Sequence, residues 1–284
     1  MVDTSAFDQP EARGLRLIVA TLRVTTAAQC FGAAAVTLWQ AGESPVAQMM
    51  AVGRDLSAEQ TLLLDRVAAV CLAASGMFSL TRPCWPVLLP VTAWFAADAA
   101  APLSAGDEWW RWLGPLAAAA SVLVPATLML IDLYPPRAKF SLARFLIGGL
   151  FVRSGAAAAF LGVGGQCLYH ARAGGGPASM MHRAGWVLTG QTLHEDVVAY
   201  GLLGTGAVLV GLAINLMAAR ARAVAAAMTV LGAALAVCEV FRHGPIGAAH
   251  MLQQLSLAGA PATVFLYWAV SIREQDGQLR PRGD

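Results

Sequence analysis

Residues 142–169 have the sequence LARFLIGGLFVRSGAAAAFLGVGGQCLY, in which Arg144 and Arg153 are the only charged residues. A helix of this length can cross the hydrocarbon layer of a bilayer, for which about 20 apolar residues suffice. Comparable apolar stretches recur along the chain, at residues 15–40, 61–80, 85–101, 112–133, 142–169, 193–218, 224–241 and 251–272. The pattern predicts an all-α integral membrane protein with about eight transmembrane helices.

The composition of the chain points to the same class of protein. Of the 284 residues, 57% are hydrophobic and 13% are charged, and the mean hydropathy is +0.60. A soluble domain of this composition would have too little polar surface to face water. The net charge is only +2, and the basic residues are dispersed. We therefore expect the lipid bilayer as a partner, and no nucleic acid.

The distribution of Lys and Arg indicates the orientation in the membrane. Most of them fall in loops on the face that also holds both termini, whereas Arg23 and Arg153 lie inside predicted spans. Because positively charged loops remain in the cytoplasm, both termini of this multi-pass protein are expected there. The five histidines then lie at or near the outer face: His170, His182, His194, His243 and His250.

The two halves of the chain resemble each other. A shift of 131 positions superposes residues 60–62 on residues 191–193 and Asp65 on Asp196, through the long outer loop and into the second helix of each half. Because each half has an even number of predicted spans, the two four-helix bundles are related as a parallel repeat. The predicted organisation is a cytoplasmic tail (1–14), a first four-helix unit (15–133), a linker (134–141), a second four-helix unit (142–272) and a cytoplasmic tail (273–284).

Three segments resemble the DoxX-like family of four-helix membrane proteins, which includes the DoxX, DoxD and MauE types. Residues 142–151 are similar to the family's opening Arg and Gly-containing run, residues 76–83 to its Thr-Arg turn, and residues 250–259 to its fourth helix. The first half departs from the pattern, since it lacks the opening Gly-Gly and has Asp107 in the place of His250. The resemblance implies a tandem duplication, the bacterial inner membrane, and membrane or periplasmic redox subunits as partners in a quinone-linked system.

Polar residues of the second half gather at the predicted outer ends of its helices. The candidate catalytic residues are His194, Glu195, Asp196, Glu239, His243 and His250, and the candidate cofactor-binding residues are Arg153, His194, His243 and His250. Imidazoles and carboxylates can relay protons during quinol oxidation, and an intramembrane charge such as Arg153 needs a partner. Quinone is the favoured cofactor and haem the alternative. No metal is assigned, because no HxxxH or Asp/Glu-x-x-His pair is present.

A purely structural explanation accounts for the same residues. Histidines at the membrane surface often cap helix ends, and Arg153 can pair with another helix or extend towards the interface. These explanations and the chemical ones remain open at the level of the sequence.

The sequence favours an integral membrane subunit of a larger, quinone-linked electron-transfer complex. Such a subunit would act in anchoring or assembly and handle quinone or protons at its outer face. A non-catalytic assembly subunit is the first alternative, because Trp109, Trp110 and Trp112 suit either the headgroup region or a docked partner. A small-solute transporter is the second, since prolines such as Pro90 and Pro125 interrupt the spans. The sequence contains no nucleotide-binding motif and no nucleophile-elbow motif, so nothing in it points to an enzyme with a soluble active site.

Overall fold

The computed structural model describes residues 10–41, 44–105, 108–131, 142–219 and 221–279. Within these ranges the chain forms α-helices, short 3-10 helices and turns, without a strand. The predicted all-α architecture is therefore confirmed for the described part of the chain. The predicted linker at 134–141, Asp107, most of the N-terminal tail and the last five residues lie outside it.

The first half contains two long helices with a short helix between them, then a third span, and then a fourth span made of shorter pieces. Its helices are α1 (Pro10–Trp39), α2 (Pro45–Arg54), α3 (Ala58–Thr81), α4 (Trp85–Ala100), α5 (Leu113–Ala117) and α6 (Ala119–Ile131). The 3-10 helices Ala101–Ala105 and Trp109–Trp112 lie between α4 and α5.

The second half has the same order of long and short elements. Its helices are α7 (Leu142–Ala173), α8 (Gly176–Thr189), α9 (Glu195–Ala218), α10 (Arg222–His243), α11 (Gly247–Gln253) and α12 (Ser256–Leu279), with a 3-10 turn at Gly244–Ile246. Helix α12 extends to Leu279, so the segment expected to begin a C-terminal tail at residue 273 is helical.

Seven helical segments in the described residues are long and apolar enough to cross a membrane. They are Gly14–Trp39, Ala58–Thr81, Trp85–Ser104, Trp109–Ile131, Ala143–Ala173, Glu195–Ala218 and Arg222–His243. Apolar side chains such as Val70 and Val230 remain 66% and 69% exposed, as expected for a surface that faces lipid. The protein is therefore an all-α, multi-pass membrane protein.

The eighth predicted span is not among these seven segments. Residues 251–272 belong to α11 and α12, which are separated by a turn at Gln254 and Leu255. Arg273, Glu274 and Asp276 follow in the last turns of α12, which shortens its apolar length. The expected number of eight spans is thus not confirmed.

The two halves pack tightly against each other through their first and fourth spans. Helix α1 lies against α11 and α12, and α7 lies against α5 and α6. A Cβ atom on Gly32 would lie 2.3 Å from the Gln253 nitrogen, and one on Gly162 would lie 2.1 Å from the Ala117 nitrogen. Only a residue without a side chain allows these backbones to approach so closely.

The short helices α2 and α8 lie at the same end of the bundle, which we call the loop-helix end. Helix α2 contacts α3, α4 and the 3-10 helix after α4, while α8 contacts α7, α9 and α10. The buried carboxylate of Asp65 accepts hydrogen bonds from the Ser44 backbone nitrogen (3.2 Å) and from its hydroxyl (2.5 Å). Ser44 in turn caps α2 by accepting from the Ala47 nitrogen, so Asp65 fixes α2 to α3.

Candidate functional site

A cavity of about 510 Å³, which we call the main cavity, lies between the two halves near the loop-helix end. Its apolar wall includes Phe95, Leu235 and Leu257. Its polar lining residues are Asp98, Ser121, Gln166, His170, Glu239, Arg242, Gln253 and Gln254. Both halves contribute to this lining, so the cavity depends on the way they pack together.

The two fourth spans are interrupted where they line the main cavity. Helix α5 ends at Ala117 and α6 begins at Ala119, while α11 and α12 are separated by Gln254 and Leu255. Beyond the breaks, the hydroxyls of Ser121 and Ser256 lie 3.0 Å apart and join α6 to α12. The interruptions turn the glutamines at the end of α11 towards the cavity instead of towards lipid.

Glu239 and Arg242 line the cavity at the end of α10, and His243 follows on the same helix. The Glu239 carboxylate lies 3.1 Å from His243 Nε2 and 3.6 Å from the Arg242 guanidinium. It is only 16% exposed. A carboxylate beside an imidazole is a pair of groups that general acid–base chemistry uses.

His250 on α11 completes this cluster. Its ring stacks on that of His243, with centroids 3.8 Å apart and planes inclined by 18°. Burial, together with the neighbouring His243 and Arg242, lowers the pKa of His250 to about 4. Near neutral pH His250 is therefore uncharged. The structure thus brings Glu239, His243 and His250 together, as candidate residues of one cluster.

Glu195 and Asp196 lie elsewhere, in a second cavity of about 470 Å³ at the same end of the molecule. This second cavity is bounded by the end of α7, by α8 and by the first turns of α9, and its lining includes His170 and His182. His194 caps α9 and lies 3.3 Å from the Asp196 carboxylate, with both side chains more than three-quarters exposed. These three candidate residues form a solvent-facing group that is separate from the Glu239 cluster.

Arg153 lies towards the opposite end of the bundle. It donates hydrogen bonds to the carbonyl oxygens of Leu216 (2.9 Å) and Met217 (2.6 Å) at the end of α9, and its guanidinium lies over the ring of Trp268. Because Asp196 is at the other end of α9, about 30 Å away by helix rise, it cannot pair with Arg153. Arg153 therefore fits the structural alternative, in which it joins two helices, and shares no site with the histidines.

The tryptophans predicted to lie at a membrane surface pack at the loop-helix end. The Trp110 ring stacks on Tyr169 with centroids 5.2 Å apart, and Trp109 meets the same tyrosine edge-on. Arg111 lies over Trp110 and pairs with Glu108 at 3.2 Å. This aromatic group supports the end of α7, where His170 is located.

Several polar residues of the main cavity were not predicted from the sequence, above all Asp98, Gln166 and Gln253. Asp98 and Gln166 each stand alone among apolar or small neighbours in a span, and Gln253 is followed by Gln254. Such polar residues are themselves a signal, because polar groups in membrane helices usually face a cavity or another helix. Among the described residues, no group of three or more His, Cys, Asp and Glu side chains could hold a metal ion. In comparisons with known proteins, no protein-family model, no curated protein and no solved structure matches this chain.

Proposed function

We propose that this chain is an integral membrane subunit of a quinone-linked electron-transfer complex, and that the main cavity binds the quinone head group. The observation that carries the proposal is the polar cavity of about 510 Å³ between the halves, with an acid–imidazole pair at its edge. Electrons would pass between the bound quinone and a redox group of a partner subunit.

The size and lining of the main cavity suit a small amphiphilic ring. Ligand pockets in proteins are usually about 300–1,000 Å³ and combine an apolar lining with a few polar groups. The side-chain amides of Gln166, Gln253 and Gln254 can donate hydrogen bonds to quinone carbonyls. Phe95 and Leu257 supply apolar surface for the ring.

The Glu239–His243 pair can exchange protons with such a ligand. Reduction of a quinone consumes two protons and two electrons, and oxidation of the quinol releases them. A carboxylate 3.1 Å from an imidazole is suited to general acid–base transfer. In this proposal Glu239 is the group that faces the ligand, and His243, with His250 stacked on it, assists it.

The sequence resemblance and the element order support the rest of the proposal. A DoxX-like tandem duplication accounts for two successive runs of long helix, short helix and three further spans. With both termini in the cytoplasm, the loop-helix end faces the outside of a bacterial inner membrane. A redox partner would therefore dock at that end, where Trp109 and Trp112 are 69% and 62% exposed.

Equilibrium binding of a short-chain benzoquinone to the detergent-purified protein tests the proposal. We expect saturable binding, and a Kd raised about fivefold by Gln254→Leu, since one lost hydrogen bond corresponds to roughly 1 kcal/mol. Gln191→Leu is the matched control, because Gln191 is exposed between α8 and α9 and its loss should leave the Kd unchanged. Absence of binding, or equal effects of the two variants, would reject the proposed site.

The interrupted fourth spans favour solute transport as a second candidate function. Discontinuous helices beside a central cavity are typical of transporters with internal repeats. A transporter would open the main cavity to both sides of the membrane in turn, so an impermeant thiol reagent would reach Cys167 in its wall from either side. A quinone-binding subunit predicts reaction from the loop-helix end only.

A further inference from the structure

His170 lies between the main cavity and the second cavity, and its side chain lines both. It is placed near the end of α7, with its ring packed edge-on against Tyr169 and Trp110. This histidine was not among the candidate site residues from the sequence. Its position makes it the link between a cavity inside the bundle and one at the surface.

The ring of His170 is held by the turn that follows α7. Its Nδ1 is hydrogen-bonded to the carbonyl oxygen of Gly174. Gly174 and Gly175 have φ angles of 70° and 104°, a backbone conformation that favours glycine. A Cβ atom on Gly175 would lie 3.0 Å from Nδ1, so the turn fits closely around the imidazole.

The hydrogen bond determines which ring nitrogen carries the proton. A carbonyl oxygen can only accept, so Nδ1 must donate, and in the neutral ring Nε2 is then the proton acceptor. Gly174 lines the second cavity, which places the Nδ1 edge on that side. Because His170 also lines the main cavity, we assign Nε2, the nitrogen not used in this bond, to that side.

Ionisable side chains line both of the cavities that His170 separates. In the main cavity they are Asp98, Glu239 and Arg242, and in the second cavity they are Arg172, His182, Glu195 and Asp196. Arg172, Glu195 and Asp196 are exposed, so the second cavity opens to solvent. A proton that crosses the ring therefore has acidic acceptors on either side.

We propose that His170 transfers protons between the main cavity and the second cavity. This inference rests on the proposed function, because a bound quinol is the proton donor that the main cavity would hold. A proton from the quinol hydroxyl, or from Glu239, binds Nε2, and the Nδ1 proton leaves through water to Glu195 or Asp196. One proton enters and one leaves without electron transfer, which leaves the neutral ring protonated at Nε2. A half-turn of the ring about its Cβ–Cγ bond, which breaks the bond to Gly174, then turns the unprotonated nitrogen back towards the main cavity.

A pH-jump experiment with 2-hydroxy-1,4-naphthoquinone as the bound probe tests this role, since the colour of this quinone reports its own ionisation. In stopped-flow measurements on the full-length protein, we expect His170→Gln to slow protonation of the bound probe at least tenfold. Added imidazole should restore the rate, whereas the Kd of the probe should change little. Gly175→Ala, which disturbs the ring without removing it, should give a smaller reduction.

The control variant is Glu59→Gln, since Glu59 is an exposed ionisable residue in the first turn of α3, at the same end, and lines neither cavity; it should leave the protonation rate unchanged. Unchanged rates in His170→Gln, with the probe bound, would overturn the role of His170 while leaving the quinone site intact. Failure of the wild-type protein to bind the probe would instead overturn the proposed function and this inference with it.

Discussion

His243 and His250 show how a few side chains set the response of the site to protons. Their ring centroids are 3.8 Å apart, and the Glu239 carboxylate lies 3.1 Å from Nε2 of His243. Protonation of both rings would place two like charges in contact, at a cost that no second carboxylate at this position offsets.

The lowered pKa of His250 predicts acid sensitivity of the fold. Its pKa is about 4 in the folded protein and about 6.5 in an unfolded chain, so between these values the unfolded state binds more protons. The contribution of neutral His250 to the free energy of unfolding is therefore fully present above pH 6.5 and is lost as the pH falls towards 4. In detergent, the unfolding temperature of the wild type should fall further between pH 7.5 and pH 5 than that of His250→Phe.

His194→Phe is the control for this measurement, because His194 is exposed and its replacement should leave the loss at pH 5 as large as in the wild type. An equal loss in the wild type and in His250→Phe would show that protonation of other groups governs the acid sensitivity.

At the residue scale, the sequence predicted part of the site. Glu239, His243 and His250 were recognisable because all three lie at adjoining helix ends within a short stretch of sequence. Asp98 and Gln166 come from α4 and α7, far from the cluster in sequence, and they share a cavity with Glu239 only in the folded protein. No local pattern reports such packing, so these residues could not be assigned to one cavity in advance.

At the scale of elements, close backbone contacts between the halves involve a glycine of the first span in each. Gly32 on α1 faces the backbone of α11, and Gly162 on α7 faces the backbone of α5. We expect Gly162→Ala to destabilise the protein by about 1–3 kcal/mol, because a methyl group there must push two helices apart. Gly32→Ala should behave in the same way, and thermal unfolding in detergent measures both.

Gly204 on α9 provides the matched control, since a Cβ atom there would meet nothing within 4 Å. Gly204→Ala should be neutral or stabilising by up to about 1 kcal/mol, because alanine favours a helix. Equal effects of Gly162→Ala and Gly204→Ala would contradict the close packing of α7 on α5.

The long helices followed from the sequence, whereas the short ones did not. Hydrophobic length alone located the spans, because lipid leaves no alternative to a helix for an apolar segment. Helices α2 and α8 were expected to be loop, since their residues are mixed in polarity and their stability comes from contacts such as Ser44 with Asp65. The breaks in the fourth spans lie against Gly32 and Gly162, which are contacts between segments distant in sequence.

At the scale of the whole molecule, the duplication stays a prediction that the order of elements supports. It requires an even number of spans, while seven helical segments qualify by length and apolarity in the described part of the chain. The difference between seven and eight spans depends on α11 and α12, which would together form the eighth span.

The positions of the termini test the number of spans. With eight spans, reporter fusions at the N terminus and at the C terminus should both report the cytoplasm. A C-terminal reporter outside the membrane, with the N-terminal one inside, would mean that α11 and α12 do not cross. A fusion truncated after Thr189, in the loop-helix region, serves as the control and should report the outside.

Photoaffinity labelling with a light-activated quinone tests the central claim most directly, because it asks both whether a quinone binds and where. We expect the label on peptides of α4, α7 and α10 that contain Asp98, Gln166 and Glu239, with excess unlabelled quinone preventing the reaction. Labelling confined to the lipid-facing surface, or unaffected by competing quinone, would contradict the account.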